Sequence, residues 1–124
     1  MTEDHAQCVL MHIRVSGEIF EIVDLSQEEQ EEVNNRGITF VAKKKGAFLD
    51  KNGGQLILEH QDEMPESLRH LMLICAGWRA MTHDDFHPLV AYVCYVNEQW
   101  SVNWFDFNFF RWHHSCRLLR RVLP

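Results

Sequence analysis

The sequence has no long uninterrupted run of apolar residues. The longest runs are residues 71–76 and 89–96, whereas a helix that crosses a bilayer needs roughly 20 such residues. The chain also starts with acidic and polar residues, unlike the basic start of a secretion signal. We therefore expect a cytoplasmic protein with no membrane partner.

Several motifs of catalysis and cofactor binding are missing as well. The sequence contains no phosphate loop, no Gly-x-Gly-x-x-Gly fingerprint and no Gly-x-Ser-x-Gly elbow. Its four cysteines are far apart and form no Cys-x-x-Cys pair, so neither a zinc finger nor a secreted disulfide scaffold is indicated. We expect reduced, buried thiols and no resident cofactor.

The composition is that of a folded domain. The 124 residues are 46% hydrophobic and 24% charged, which is typical of one globular unit. Four tryptophans and eight phenylalanines supply enough apolar surface for a stable core without disulfide bonds or structural metals. We treat residues 1–124 as a single domain.

The charges are unevenly distributed along the chain. All eighteen acidic residues precede position 107, and four arginines with no acid follow it, giving a formal net charge of −6. Because an acidic body repels phosphate, nucleic acid is not the expected partner, except through the basic C-terminal end. A protein partner with a basic surface suits this body. Solubility alone is the plainer explanation of the acidity.

Alternating apolar residues and turn residues predict a largely antiparallel sheet of five or six strands. A first hairpin joins residues 7–15 and 19–25, and a second joins residues 88–96 to a strand that starts at Trp100. Residues 38–43 and 55–59 predict two further strands around a turn at Lys51-Asn52-Gly53-Gly54.

Three helices complete the predicted α+β fold. Ser26 and Glu29 predict a capping box at the start of a short polar helix. Pro65 is expected to begin a central buried helix that reaches about Met81. After Asp106, apolar residues at helical spacing predict a C-terminal amphipathic helix.

One segment carries a possible metal site. His83, Asp84, Asp85 and His87 are ligand types for a divalent metal. His83 and His87 would share a helix face, but Pro88 disfavours helical geometry at the residue before it. A polar exposed loop is the alternative.

Two further groups of residues are candidates for function. Cys116 lies close to His113 and His114, a combination that could form a nucleophile. Burial on the apolar face of the predicted C-terminal helix would, however, raise the pKa of its thiol and lower its reactivity. For partner binding, the candidates are acidic residues and two anchors of the kind that protein interfaces favour. They are Glu28, Glu29, Glu31, Glu32, Asp62, Glu63, Arg111 and Trp112. The aromatic-rich residues 100–112 can serve as core or as interface.

Three functional hypotheses follow, in decreasing order of preference. The first is a non-enzymatic protein-binding inhibitor, such as an immunity protein, an antitoxin or a phage-type inhibitor, which uses an acidic and aromatic surface against a basic protein partner. The second is an adaptor subunit that binds through Arg117, Arg120 and Arg121 on the C-terminal helix. The third is a small metal-binding protein or metal-dependent enzyme centred on residues 83–87.

Overall fold

A computed structural model describes residues 9–81, 88–106 and 110–122. Within them, six strands form one sheet of order β1-β2-β6-β3-β4-β5, in which only the β3–β6 pair is parallel. The strands are β1 (Val9–Val15), β2 (Glu18–Val23), β3 (Met72–Met81), β4 (Pro88–Val96), β5 (Gln99–Asp106) and β6 (Cys116–Val122). The predicted α+β class with a mostly antiparallel sheet is confirmed.

Both predicted hairpins are present. Strands β1 and β2 pair around Ser16 and Gly17, and β4 and β5 pair around Asn97 and Glu98. All four turn residues have positive φ angles, between 52° and 79°. Two consecutive left-handed residues match the right-handed twist of the strands they connect, so local turn geometry sets the register of each hairpin.

The capping box is also confirmed. Helix α1 spans Gln27–Arg36. The Ser26 hydroxyl accepts a hydrogen bond from the Glu29 amide at 3.2 Å, and the Glu29 carboxylate accepts one from the Ser26 amide at 2.8 Å. These bonds satisfy two backbone donors that a helix N-terminus otherwise leaves without partners.

The two strands predicted at residues 38–43 and 55–59 are wrong, because both segments are helical. Helix α2 spans Ile38–Lys44 and buries Ile38, Val41 and Ala42, the spacing of one helix face. Helix α3 spans Lys51–Glu59, and Asp50 caps it through the Gly53 amide.

The glycines that suggested a turn lie inside α3 for a packing reason. A Cβ atom on Gly54 would lie 2.5 Å from the Trp78 ring, so only glycine lets the helix approach this strand so closely.

The predicted central helix and C-terminal helix are wrong in their described parts. Residues 66–68 form only one 3-10 turn, and the chain then enters β3; residues 116–122 form β6. Leu73 and Ile74 on β3 are both fully buried, as are Leu118 and Leu119 on β6. A strand covered on both faces loses its period-two alternation and is easily mistaken for a buried helix.

The sheet separates two hydrophobic cores. Helix α3 and residues 61–68 cover the core that contains Ile57 and Leu73, whereas α1, α2 and residues 110–112 cover the core that contains Val33 and Ile74. Residues 45–50 pass from one core to the other beside β3, where the Gly77 amide donates to the Leu49 carbonyl at 2.8 Å. None of the described helices has the length and apolarity needed to span a membrane.

Candidate partner-binding surface

Helix α1 carries four of the predicted partner-binding acids, and the structure divides them into two pairs. The Glu29 carboxylate lies 2.8 Å from the Lys45 ammonium, and Glu32 lies 3.4 Å from that of Lys44. Glu28 and Glu31 are exposed and make no ion pair with any described residue. Only this second pair has no oppositely charged partner among the described residues.

Glu29 is a structural residue. Burial alone would raise the pKa of its carboxyl, but hydrogen bonds from Lys45 and Ser26 and the charge of Lys45 outweigh burial and lower the pKa below its ordinary 4.5. The Lys45 side chain is only 7% exposed. The ionised pair therefore fastens the start of α1 to the end of α2.

Asp62 and Glu63 do not lie on the same surface as the α1 acids. Their segment packs through Met64 into the core beneath α3, whereas α1 packs through Val33 on the opposite face of the sheet. Glu63 accepts a hydrogen bond from the Ser16 amide at 3.0 Å, and Asp62 is exposed. The two acidic groups thus form separate surfaces.

The two predicted anchors have different environments. Arg111 is exposed, whereas Trp112 is 8% exposed and packs in the core under α1 and α2. The Trp112 amide donates to the Asn34 side-chain oxygen at 2.9 Å. Trp112 therefore holds Arg111 beside the C-terminal end of α1 and offers little surface of its own.

An aromatic pocket of about 280 Å³ lies beside Arg111. The Phe105 and Phe110 rings stack with centroids 4.0 Å apart, and the Tyr92 ring lies 5.9 Å from Phe105. Burial, followed by the nearby thiols of Cys94 and Cys116, raises the pKa of Tyr92 above its ordinary 10.0. The pocket is lined by Met72, Tyr92, Phe105, Asp106, Phe110, Arg111 and His113.

A second pocket of about 210 Å³ lies next to the first. Residues 33–37 line it together with Phe110 and Arg111, which also line the aromatic pocket. We call it the donor pocket, because the guanidinium groups of Arg36 and Arg111 can only donate hydrogen bonds. Within the described part of the chain, neither group forms an ion pair.

The arginines of β6 are not available in this way. Arg120 and Arg121 each lie 2.6 Å from a carboxylate of β2, namely Glu21 and Glu18, and Arg117 lies 3.7 Å from Asp24. The basic surface on which the adaptor hypothesis depends is therefore largely neutralised by the neighbouring strand.

The remaining candidates have less structural support. His83, Asp84, Asp85 and His87 lie outside the described residues, so the metal hypothesis stays a prediction. Among the described residues, no three His, Cys, Asp or Glu side chains group as a metal site would require. Burial raises the pKa of the Cys116 thiol. It raises the pKa of the fully buried Cys75 to about 12. Neither thiol is poised as a nucleophile.

Sequence reasoning did not single out Arg36 or Tyr92. Arg36 resembled an ordinary basic residue at a helix C-terminus, and Tyr92 an ordinary strand residue. Their proximity to Arg111 depends on three separate elements that meet on one face of the sheet. No local pattern encodes that meeting.

Comparison with protein-family models, curated proteins and solved structures finds no match for this chain. The expected cytosolic location stays a prediction.

Proposed function

We propose that the chain is a non-catalytic protein-binding module that inhibits its partner. It would act as an immunity protein, an antitoxin or a phage-type inhibitor. Its partner would present basic residues to α1. The observation that supports this most is continuity: Glu28, Glu31 and Asn35 are exposed and follow one helix face at spacings of three and four. This stripe ends at the donor pocket, which Asn35 helps to line.

The surface has the composition of a binding site. Two exposed acids can attract a basic partner and raise the rate of association. Arg111 and the aromatic pocket supply the anchor types that dominate binding energy at interfaces. The ion pairs between β2 and β6 cannot contribute in this way, because their charges already neutralise each other.

The test compares matched charge reversals on the two faces of the sheet. The tagged protein captures partners from a lysate of its source organism, and Glu28→Lys with Glu31→Lys is compared with Asp62→Lys with Glu66→Lys. Both double variants change the net charge equally and at exposed positions. We expect the first to lose a partner that the second retains, with a loss of association rate that is largest at low salt.

Equal retention of the partner by both double variants would exclude the α1 stripe. Loss in the second variant alone would transfer the binding surface to residues 62–66. Comparison of urea unfolding midpoints separates loss of binding from loss of fold.

A further inference from the structure

We infer that the donor pocket and the aromatic pocket together recognise a short peptide segment in which one acidic side chain lies close to one large apolar side chain. The inference rests on the proposed function, since it names the chemistry of the partner at the same surface. The charge pattern describes this surface only as acidic and aromatic, whereas the two pockets specify the chemical groups of the ligand.

The donor pocket suits a carboxylate. Arg36 and Arg111 both line it, and a guanidinium can donate two parallel hydrogen bonds to one carboxylate. The Asn34 oxygen is occupied by the Trp112 amide, which leaves the NH₂ group of that side chain as a further donor. A carboxylate would therefore meet donors from two segments of the chain.

Contacts within the chain orient these two exposed donors before any ligand binds. The Arg36 guanidinium lies 4.9 Å from the centroid of the Phe40 ring. Arg111 donates to the Phe110 carbonyl at 2.8 Å, and its neighbours Phe110 and Trp112 pack against Phe105 and the core. Pre-organisation lowers the entropy cost of binding.

The aromatic pocket suits the apolar side chain. Tyr92, Phe105 and Phe110 provide ring surfaces, and Met72 provides a flexible thioether that adapts to different shapes. Asp106, Arg111 and His113 supply the polar part of the lining. Because Phe110 and Arg111 line both pockets, one short segment can reach both. A leucine, methionine or phenylalanine near the acidic residue satisfies this arrangement.

The α1 stripe argues against a polyanion such as nucleic acid in the same place. Glu28 and Glu31 are exposed on the helix that ends at the donor pocket. At the rise of an α-helix, each lies about 10 Å or less along the helix axis from the first residues that line this pocket. Repeated phosphates would meet these acids and be repelled. A single carboxylate in an otherwise neutral or basic peptide avoids that repulsion, and its basic residues can face the stripe.

The test uses fluorescein-labelled decapeptides with blocked ends on a Gly-Ser-Lys background. Each contains one aspartate and one phenylalanine separated by zero to four residues, and fluorescence anisotropy measures binding to the full chain. We expect at least one spacing to bind with a Kd below about 1 mM. Replacing the aspartate of that peptide by asparagine, or its phenylalanine by alanine, should weaken binding about tenfold.

Protein variants locate the effect. Arg36→Gln and Arg111→Gln should each remove most of the difference between the aspartate and asparagine peptides. The matched control is Arg14→Gln, an exposed arginine on β1, which should leave the difference unchanged. All three should unfold at the same urea concentration as the unchanged chain.

The inference is overturned if no spacing distinguishes aspartate from asparagine, or if Arg111→Gln leaves that difference intact. Tighter binding of inorganic phosphate or of an eight-nucleotide oligothymidylate than of any peptide would also overturn it. Failure of the peptides together with partner loss in the Glu28 and Glu31 double variant would remove this inference and leave the proposed function standing. If the peptides bind but that double variant still retains the partner, the peptide site would stand and the α1 stripe would be excluded as the partner-binding surface.

Discussion

Strand β6 and helix α1 both carry several charged side chains, and they use them differently. On β6, Arg120 and Arg121 each lie 2.6 Å from a carboxylate of β2. On the exposed side of α1, Glu28 and Glu31 make no ion pair with a described residue, and neither does Arg111 at the C-terminal end of that helix. Formal charge is therefore a poor guide to available charge. What matters is whether folding has already supplied a partner.

The largest effect should come from Arg120→Ala. Arg120 is 8% exposed and donates to Glu21 at 2.6 Å and to the Lys45 carbonyl at 2.8 Å. Its removal costs the fold two charge-assisted hydrogen bonds, although the Glu21 carboxylate, 16% exposed, still lies 2.9 Å from the His12 ring. The free energy of unfolding should therefore fall by about 2–3 kcal/mol. Urea unfolding at neutral pH measures this, with Arg14→Ala as the exposed control. A loss no larger than that of the control would erase the distinction between the two regions.

Glu29→Gln should give a smaller loss that depends on pH. Because the pKa of Glu29 is lower in the folded chain than its ordinary 4.5, the ionised carboxylate stabilises the fold fully above that value. The contribution disappears as the pH falls through the folded pKa. We expect a loss of about 1.5 kcal/mol near neutral pH, shrinking in acid.

The matched variant for this comparison is Glu31→Gln. It lies on the same helix without an ion pair to a described residue, so its unfolding curves should follow those of the unchanged chain at each pH. A gap between unchanged chain and Glu29→Gln that persists at pH values well below 4.5 would contradict the assignment.

Glu18→Gln should have a still smaller effect that salt removes. Its partner is Arg121, but the Glu18 side chain is 44% exposed, and ion pairs at such positions contribute about 0.5 kcal/mol. Unfolding at low salt and at about 1 M salt should show the loss vanish. The loss in Arg120→Ala should persist at both salt concentrations, because burial shields that pair from screening.

The smallest effect on stability should come from the unpaired charges. Glu31→Ala and Arg111→Ala should each change the free energy of unfolding by less than about 0.5 kcal/mol. Arg111→Ala should nevertheless weaken partner binding the most among these variants, because Arg111 lines both pockets. A strongly destabilised Arg111→Ala, measured by urea unfolding, would mean that Arg111 serves the fold.

The elements predicted correctly are those that depend on neighbours in sequence. Ser26 and Glu29 are three residues apart, and they form the capping box that starts α1. The hairpin turns depend on two residues each. In contrast, residues 38–43 contain β-branched residues that suggested a strand, and only packing against the sheet shows their helical spacing.

The candidate surface follows the same division. Sequence reasoning could name the α1 acids and Arg111 as candidates, because composition and charge identify such residues. The separation of Asp62 and Glu63 from them was not, since it depends on which face of the sheet each segment covers. The burial of Trp112 likewise follows from α1 and α2 packing over it.

By itself the sequence determined the two hairpins and the start of α1, because each depends on contacts within a few residues. Only the tertiary structure decided that β3 and β6 are central strands, because covering both faces of a strand removes the alternation that identifies it. It also decided which charges are paired. Arg120 and Glu21 are 99 positions apart, and only strand order brings them within hydrogen-bond distance.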